Sequence, residues 1–421
     1  MKFRLPQSPA RFRLTTTLGT AAMNAVRSVA ARYQWLIYPL LVFLLTRGVV
    51  WSAAYYAELA MPSPTSDAAW HALPNNVFLD VWARWDSGFY LGIVDHGYYF
   101  EPGQQSSVAF FPVYPLLTSL VKPLAGSTVA AGWLISNLCF LGALIFLYRL
   151  TEFEFRDAST ARRAIFYLAA FPTSFFFSAI YTESTFLLFA IGAFYFARRQ
   201  AWAWAVLFGL LCGATRIVGV VMWGVVGLEW LRAQGWTLQR SWRREAWSTL
   251  FKTLRTQWMI LALICIIPLG LISYMGFLKV KFNDPVAFST TQAAWQRQTN
   301  GPVKVVYDSL ASLRGSDFLT GMRVWWHVLL DVGSLIAVLA SSVTIWRRLG
   351  ESYAIYSLLS MLIPASSSTQ SLMRYILVVF PFFMLLGVWG KRQWLDTVLI
   401  TGGCMFLGVL TTIFVNWYFV A

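Results

Sequence analysis

Along this chain the polar residues fall into short stretches separated by long apolar runs. The runs cover 34–57, 128–148, 164–181, 183–197, 201–215, 217–231, 258–278, 325–346, 352–366, 375–390 and 393–418. Within each run apolar residues follow one another without the strict alternation that a barrel strand needs. A helix needs about 20 such residues to cross the hydrocarbon of a bilayer. The pattern therefore predicts an all-α polytopic membrane protein with about eleven transmembrane helices. Residues 34–421 read as one transmembrane domain, and residues 1–33 read as a separate polar segment before it.

Composition supports the same class. Hydrophobic residues make up 58% of the chain and charged residues 12%, against about a quarter charged in ordinary soluble domains. A soluble enzyme, a disordered chain and a disulfide-rich secreted module are excluded on that ground. Cys139, Cys212, Cys265 and Cys404 all lie in apolar runs and form no CxxC pair, so they point to neither a metal site nor a disulfide framework.

The net charge is +15. In a soluble protein that would raise the question of nucleic acid. In a membrane protein the placement of the charges matters more than their sum, and no nucleic-acid partner is expected. Lys2, Arg4, Arg11, Arg13, Arg27 and Arg32 precede the first run with no acid among them, which places the N-terminal segment in the cytoplasm. The next polar segment, 58–127, carries Glu58, Asp67, Asp80, Asp86, Asp95 and Glu101 against Arg84 and Lys122, and reads as the first outer loop. Alternation then puts the basic stretch 232–257 inside, 279–324 in a second outer loop, and the C-terminus outside. Residues 106–126 are apolar enough to cross, but three prolines interrupt them and a crossing would turn 232–257 outward. They are placed at the outer interface as a surface or re-entrant element.

With this threading, polar residues at the membrane edges gather on the outer side. Arg84-Trp85-Asp86 and His96 lie in the first outer loop with Glu101, Glu183 starts the fourth run, Arg216 lies between the fifth and sixth, and Arg374 begins the tenth. An aspartate beside aromatic residues can be desolvated into a better base, although Asp86 also fits a solvated loop or a local ion pair with Arg84. Arg216 and Arg374 suit an anion such as a phosphate, or else snorkel to the interface. Glu183 reads either as a partner for Arg216 or as a helix-start carboxylate. Arg47 falls near the middle of the first run and must find a partner, most simply an internal ion pair. No DxD-type pair accompanies Asp86, the nearest acids being Asp80 and Asp95, so neither a metal nor a cofactor is expected.

Six segments carry a resemblance, in order along the chain: RWDSGFYLGIVDHGY, SSVAFFPVYPLL, FPTSFFFSAIYTES, GATR, KFNDPVAFSTTQAAWQR and SLMRYILVVFPFF. Together they resemble the successive motifs of the GPI mannosyltransferase 2 (PIG-V-like) family, one of the GT-C membrane glycosyltransferases. The resemblance implies a GT-C-like fold with surface helices in the first outer loop and a polyprenyl-phosphate sugar as donor. It implies transfer of mannose to an acceptor hydroxyl on the non-cytoplasmic face, with inversion to an α-mannoside. It maps the catalytic aspartate onto Asp86, and with such a donor Arg216 and Arg374, as the outward arginines at span ends, suit the donor phosphate. Arg84, Trp85, His96, Glu101, Tyr114, Glu183, Tyr375 and Asp284 become substrate-binding or supporting residues, Asp284 either as a contact or as a turn former. The short loops resemble the prokaryotic members, which implies a prokaryotic plasma membrane with the active site facing outward. A glycolipid, a glycan and a protein all remain open as acceptor. A transporter or flippase for lipid-linked sugars, or a lipid-presenting subunit, is the alternative reading.

Overall fold

The computed structural model describes residues 32–61, 70–241, 244–297, 300–313 and 318–420. The basic segment 1–33 lies outside the described residues except for Arg32 and Tyr33. Among the described residues the secondary structure is helical, with no strand. The main helices, in chain order, are α1 (Gln34–Ala60), α2 (Ser87–His96), α3 (Val113–Ala125), α4 (Thr128–Phe155), α5 (Ala158–Ala169), α6 (Glu183–Arg198), α7 (Trp202–Gly213), α8 (Val221–Ala233), α9 (Arg244–Thr256), α10 (Trp258–Ile264), α11 (Leu269–Phe282), α12 (Pro302–Ala311), α13 (Phe318–Arg348), α14 (Glu351–Ala365), α15 (Leu372–Tyr375, continued by a 3₁₀ turn to Val378), α16 (Phe380–Trp389) and α17 (Gln393–Val415).

Among the described residues four helices are long and apolar enough to cross a membrane: α1, α4, α13 from Trp325 onward, and α17. Two more candidates are bent pairs, α10–α11 at 45° and α15–α16 at 80°. The protein is an integral membrane protein on this evidence. Each of the eleven predicted runs contains helix, but the helices α5, α6, α7, α8 and α14 have 12, 16, 12, 13 and 15 residues, short of the roughly 20 that span.

The run read as one span over 164–181 is broken. Helix α5 stops at Ala169, and the chain passes through turns to Glu183 before α6 starts. Backbone groups freed by a break at membrane depth must be satisfied by the protein, and here Arg47 of α1 does it. Its Nη1 donates to the Ser174 carbonyl at 2.8 Å, and its Nη2 donates to the Ala169 carbonyl at 3.0 Å. The guanidinium also lies over Phe140, at 4.8 Å from the ring centroid. The internal ion pair expected for Arg47 is replaced by carbonyls at the negative end of a helix, where a cation is favoured.

Within residues 106–126 a 3₁₀ turn (Ser107–Ala109) precedes α3, which starts after Pro112 and ends at Gly126 in the left-handed conformation (φ +79°). Its Leu116, Leu120 and Leu124 are exposed while Val113, Tyr114 and Thr118 are buried, so one apolar stripe faces outward from the protein. Helix α4 begins at an N-cap, Ser127, whose side chain accepts from the Ala130 N–H.

Candidate active site

A cavity of about 740 Å³ opens where α2, α6, the α7–α8 connection, the 284–297 loop, α14 and α15 meet. That volume is within the range of small-molecule sites. Asp86, Trp85, Glu183, Arg216, Arg374 and Tyr375 all line it. Residues separated by almost 300 positions in sequence thus share one wall.

Asp86 sits at the N-terminus of α2, and its carboxylate is partly exposed. The preceding Trp85 has φ +53°, a conformation that a tryptophan rarely adopts. That turn is held from behind. The Tyr181 hydroxyl donates to the Arg84 carbonyl at 3.2 Å and accepts from the Asp86 N–H at 3.1 Å. Arg84 is fully buried, and each of its three nitrogens is engaged: Nε on the Val415 carbonyl, Nη1 on the carbonyl and carboxylate of Asp80, and Nη2 on Glu58 at 3.2 Å. It therefore ties the turn to α1 and α17 and does not line the cavity. Burial opposes ionisation of Asp80, but the Leu73 N–H, His71 and Arg84 outweigh it and hold that carboxyl below the usual range.

Opposite Asp86, Glu183 opens α6 at a side-chain exposure of 1%. Its Oε1 meets Arg216 Nη1 at 2.8 Å and Arg374 Nε at 3.4 Å. Arg374 in turn reaches Asp86 through Nη1 at 3.3 Å. It is wedged against the rings of Phe176, Tyr181 and Tyr375, each at 5.3 Å. Glu183 Oε2 and Arg374 Nε have no hydrogen-bond partner. Arg297, on the loop after Trp295, adds a third guanidinium to the cavity, and its Nε is also without a partner. Three arginines thus face two carboxylates, which leaves the lining with an excess of one positive charge. Aromatic walls flank it. Phe89 stacks on Phe110 at 4.7 Å and approaches Trp295 on one side, and Trp85 meets Trp417 and Phe419 on the other.

The remaining expected residues lie elsewhere. His96 and Glu101 are exposed and do not line the cavity. Tyr114 is fully buried, with its hydroxyl on the Gly132 carbonyl and Ser136 Oγ, both at 2.9 Å. Asp284 accepts from the Val286 N–H at 2.9 Å and from Thr290 Oγ1 at 3.2 Å. It shapes the loop that brings Phe288, Gln292, Trp295 and Arg297 to the cavity. Arg297, Gln292, Trp295, Tyr181 and Trp417 join the lining without a signal of their own in the sequence. The first four stand within motifs already quoted, whereas nothing near Trp417 marks it. Among the described residues no cluster of three or more His, Cys, Asp or Glu could hold a metal ion.

A family model described as Mannosyltransferase (PIG-V) matches residues 30–281. The GPI alpha-1,6-mannosyltransferase 2 of Rattus norvegicus is 29% identical over 142 residues, 31% of this chain and 28% of that protein. The GPI mannosyltransferase 2 of Yarrowia lipolytica is 27% identical over 179 residues, 41% of this chain and 47% of that protein. The matches thus span less than half the length of these relatives. Among solved structures, ArnT from Cupriavidus metallidurans bound to undecaprenyl phosphate has a TM-score of 0.48 at 13% identity, covering 91% of this chain and 76% of that one. The oligosaccharyltransferase of Archaeoglobus fulgidus has a TM-score of 0.44 at 12% identity, covering 93% and 56%. Since the family model covers more than half of its length, the chain belongs to the PIG-V mannosyltransferase family.

Proposed function

We propose that this protein is an inverting GT-C-type glycosyltransferase that moves mannose from a polyprenyl-phosphate donor to an acceptor hydroxyl. The observation that carries the reading is a carboxylate, Asp86, within 3.3 Å of a buried arginine, Arg374, in one cavity with Arg216 and Arg297. Asp86 takes the proton of the acceptor hydroxyl. The acceptor oxygen bonds to the anomeric carbon from the face opposite the phosphate. The bond from that carbon to the phosphate oxygen breaks, its electron pair leaving with polyprenyl phosphate. A β-linked donor so yields an α-mannoside.

A sugar alkoxide leaves poorly, which is why glycosidases carry a second, acidic carboxyl. A phosphate monoester leaves readily and needs positive charge around its oxygens instead. Arginine supplies that charge with a planar fork of donors. Arg297 Nε, which has no hydrogen-bond partner, and the net positive lining fit this need. A phosphate seated there competes with Asp86 for Arg374, so donor binding frees the base for the acceptor. The aromatic walls suit the C–H faces of sugar rings.

The outward-facing, eleven-pass arrangement in a prokaryotic plasma membrane is part of this reading. Its outward-facing sense is supported by Arg149, Arg156, Arg162, Arg163, Arg198 and Arg199, which lie on or beside the α4–α5 and α6–α7 connections and outside the cavity lining. The acceptor is a glycolipid, a glycan or a protein that presents a hydroxyl. The test is transfer of label from polyprenyl-phosphate mannose in membranes containing this chain, followed by α-mannosidase digestion of the product. Labelled product released by α-mannosidase supports the proposal. Product resistant to it, or label moving across the membrane without transfer, overturns it.

A further inference from the structure

We propose that Asp331 is a positioning residue for donor binding, acting through Arg374. The inference rests on the reading that Arg374 holds the leaving phosphate. Asp331 lies inside the apolar helix α13 and is 5% exposed. An acid in such a place is costly and calls for a reason. It makes no ion pair among the described residues; its Oδ1 accepts the N–H of Met373 at 2.8 Å, the residue before Arg374. The carbonyl of the same Met373 accepts from Thr173 Oγ1 at 2.8 Å. Met373 is thus clamped at both its backbone groups, from α13 on one side and from the α5–α6 break on the other.

The clamp acts on a turn that local preference does not favour. Ser371 has φ +76°, in the left-handed region, and the chain bends by 80° between α15 and α16. A non-glycine residue in that conformation persists only where its surroundings hold it. One backbone position beyond Met373, Arg374 must keep its Nη1 3.3 Å from Asp86 and its Nε 3.4 Å from Glu183. If the turn relaxes, the guanidinium leaves that register. The cavity does not include Asp331 in its lining, so it reaches the substrate only through Arg374.

A cap that serves folding alone would also occupy this position, so the test separates the two. The full chain in nanodiscs is titrated with polyprenyl phosphate, and transfer from polyprenyl-phosphate mannose is measured in parallel. Wild type, Asp331→Leu, which is similar in size and has no acceptor for the Met373 N–H, Arg374→Ala and the double variant form a cycle. Asp331→Leu is expected to weaken polyprenyl phosphate binding about tenfold and to raise the donor KM in step. In the Arg374→Ala background the same change is expected to have no further effect. An equal loss in both backgrounds, or a wild-type affinity for Asp331→Leu, overturns the proposal. If Asp331→Leu yields no folded protein, Thr173→Val replaces it, with about a threefold loss expected in the wild-type background and none in Arg374→Ala. Wild type that transfers mannose while the variants match it sinks this proposal only. Wild type that neither binds polyprenyl phosphate nor transfers mannose overturns the underlying reading as well.

Discussion

The two ends of α6 carry charged clusters that look alike in sequence and differ in how completely they are closed. At the C-terminal end, Arg198 meets Glu154 and Glu229, both almost fully buried. Every carboxylate oxygen there has a partner. Tyr353 and Arg198 share Glu154 Oε1, Arg198 Nη2 takes Oε2, and Ser352 and Arg232 take Glu229 Oε1 while Arg198 Nη1 takes Oε2. At the N-terminal end, about 22 Å away at 1.5 Å per residue, Glu183 faces Arg216 and Arg374. Here Glu183 Oε2 and Arg374 Nε are left without hydrogen bonds beside a cavity of about 740 Å³. A closed network of buried charge holds helices together and has nothing left to offer a ligand. An open one keeps donors in reserve, at some cost in stability. The difference separates a structural cluster from a candidate site where residue types alone do not.

The sharpest way to break this comparison is Asp86→Asn. The change keeps the shape of the side chain and removes the base, so transfer should fall about 10³- to 10⁴-fold, the upper range for a general base. The thermal midpoint should stay near that of wild type, because the Asp86 carboxylate is 34% exposed and meets Arg374 only at 3.3 Å. Transfer within tenfold of wild type in a donor-label assay would remove Asp86 from the chemistry. The matching change at the closed end is Arg198→Ala. It leaves Glu154 and Glu229 buried without their shared cation, and breaking such a pair costs about 3–5 kcal/mol. Denaturation of the purified variant should show that loss, while KM for the donor in the folded fraction stays unchanged. A variant with wild-type stability and lost activity would reverse the assignment of the two ends.

Arg297→Gln probes the open end more gently. Arg297 borders the cavity with Nε unused and Nη1 on Gln292 at 3.4 Å. Removing it should raise the donor KM about tenfold, or about 1.4 kcal/mol, with little change in kcat at saturating donor. An unchanged KM would restrict the phosphate site to Arg216 and Arg374.

How far sequence reaches follows the same divide. The apolar runs of α1, α4, α13 and α17 are legible because helix length and hydropathy are local properties. The place of Asp86 in the cavity lining is anticipated by the resemblance of RWDSGFYLGIVDHGY, since an acid set among aromatics occurs in any outer loop. The break over 170–182 is not, since FPTSFFFSAI is as apolar as the helices around it. What opens it is Arg47, more than 120 positions away, which satisfies the carbonyls that a continuous helix would have used internally. Arg84 reads as a candidate ligand until its donors are counted against Val415, Asp80 and Glu58. Arg297 resembles every other loop cation in sequence. Only the turn built on Asp284 brings its segment to the cavity. Whether a charge is spent or free depends on long-range partners.

The smallest effect belongs to a solvent-facing pair, which calibrates the closed end. Asp157 caps α5, accepting from the Ser159 N–H at 2.9 Å and from Thr160 Oγ1 at 2.8 Å, and pairs with Lys391 at 2.7 Å. The hydrogen bond from Lys391, then that from Thr160, hold its carboxyl down at about 2, below the usual carboxylate range. A depressed carboxyl contributes stability above its unfolded value, near pH 4, and loses that contribution as pH falls through the folded value, near 2. Asp157→Asn keeps the cap and removes the charge. With Lys391 more than half exposed, the pair should contribute less than about 1 kcal/mol. Wild type and variant should therefore differ slightly and evenly from pH 7 down to about 5. They should converge as the medium approaches pH 2, and the difference should shrink with added salt. Donor KM and kcat should not move, because Asp157 is remote from the cavity lining. A loss as large as that of Arg198→Ala would mean that the C-terminal end is held by its rim charges as much as by the buried network. A loss below the predicted bound, insensitive to transfer, would leave burial and closure as what distinguishes the two ends of α6.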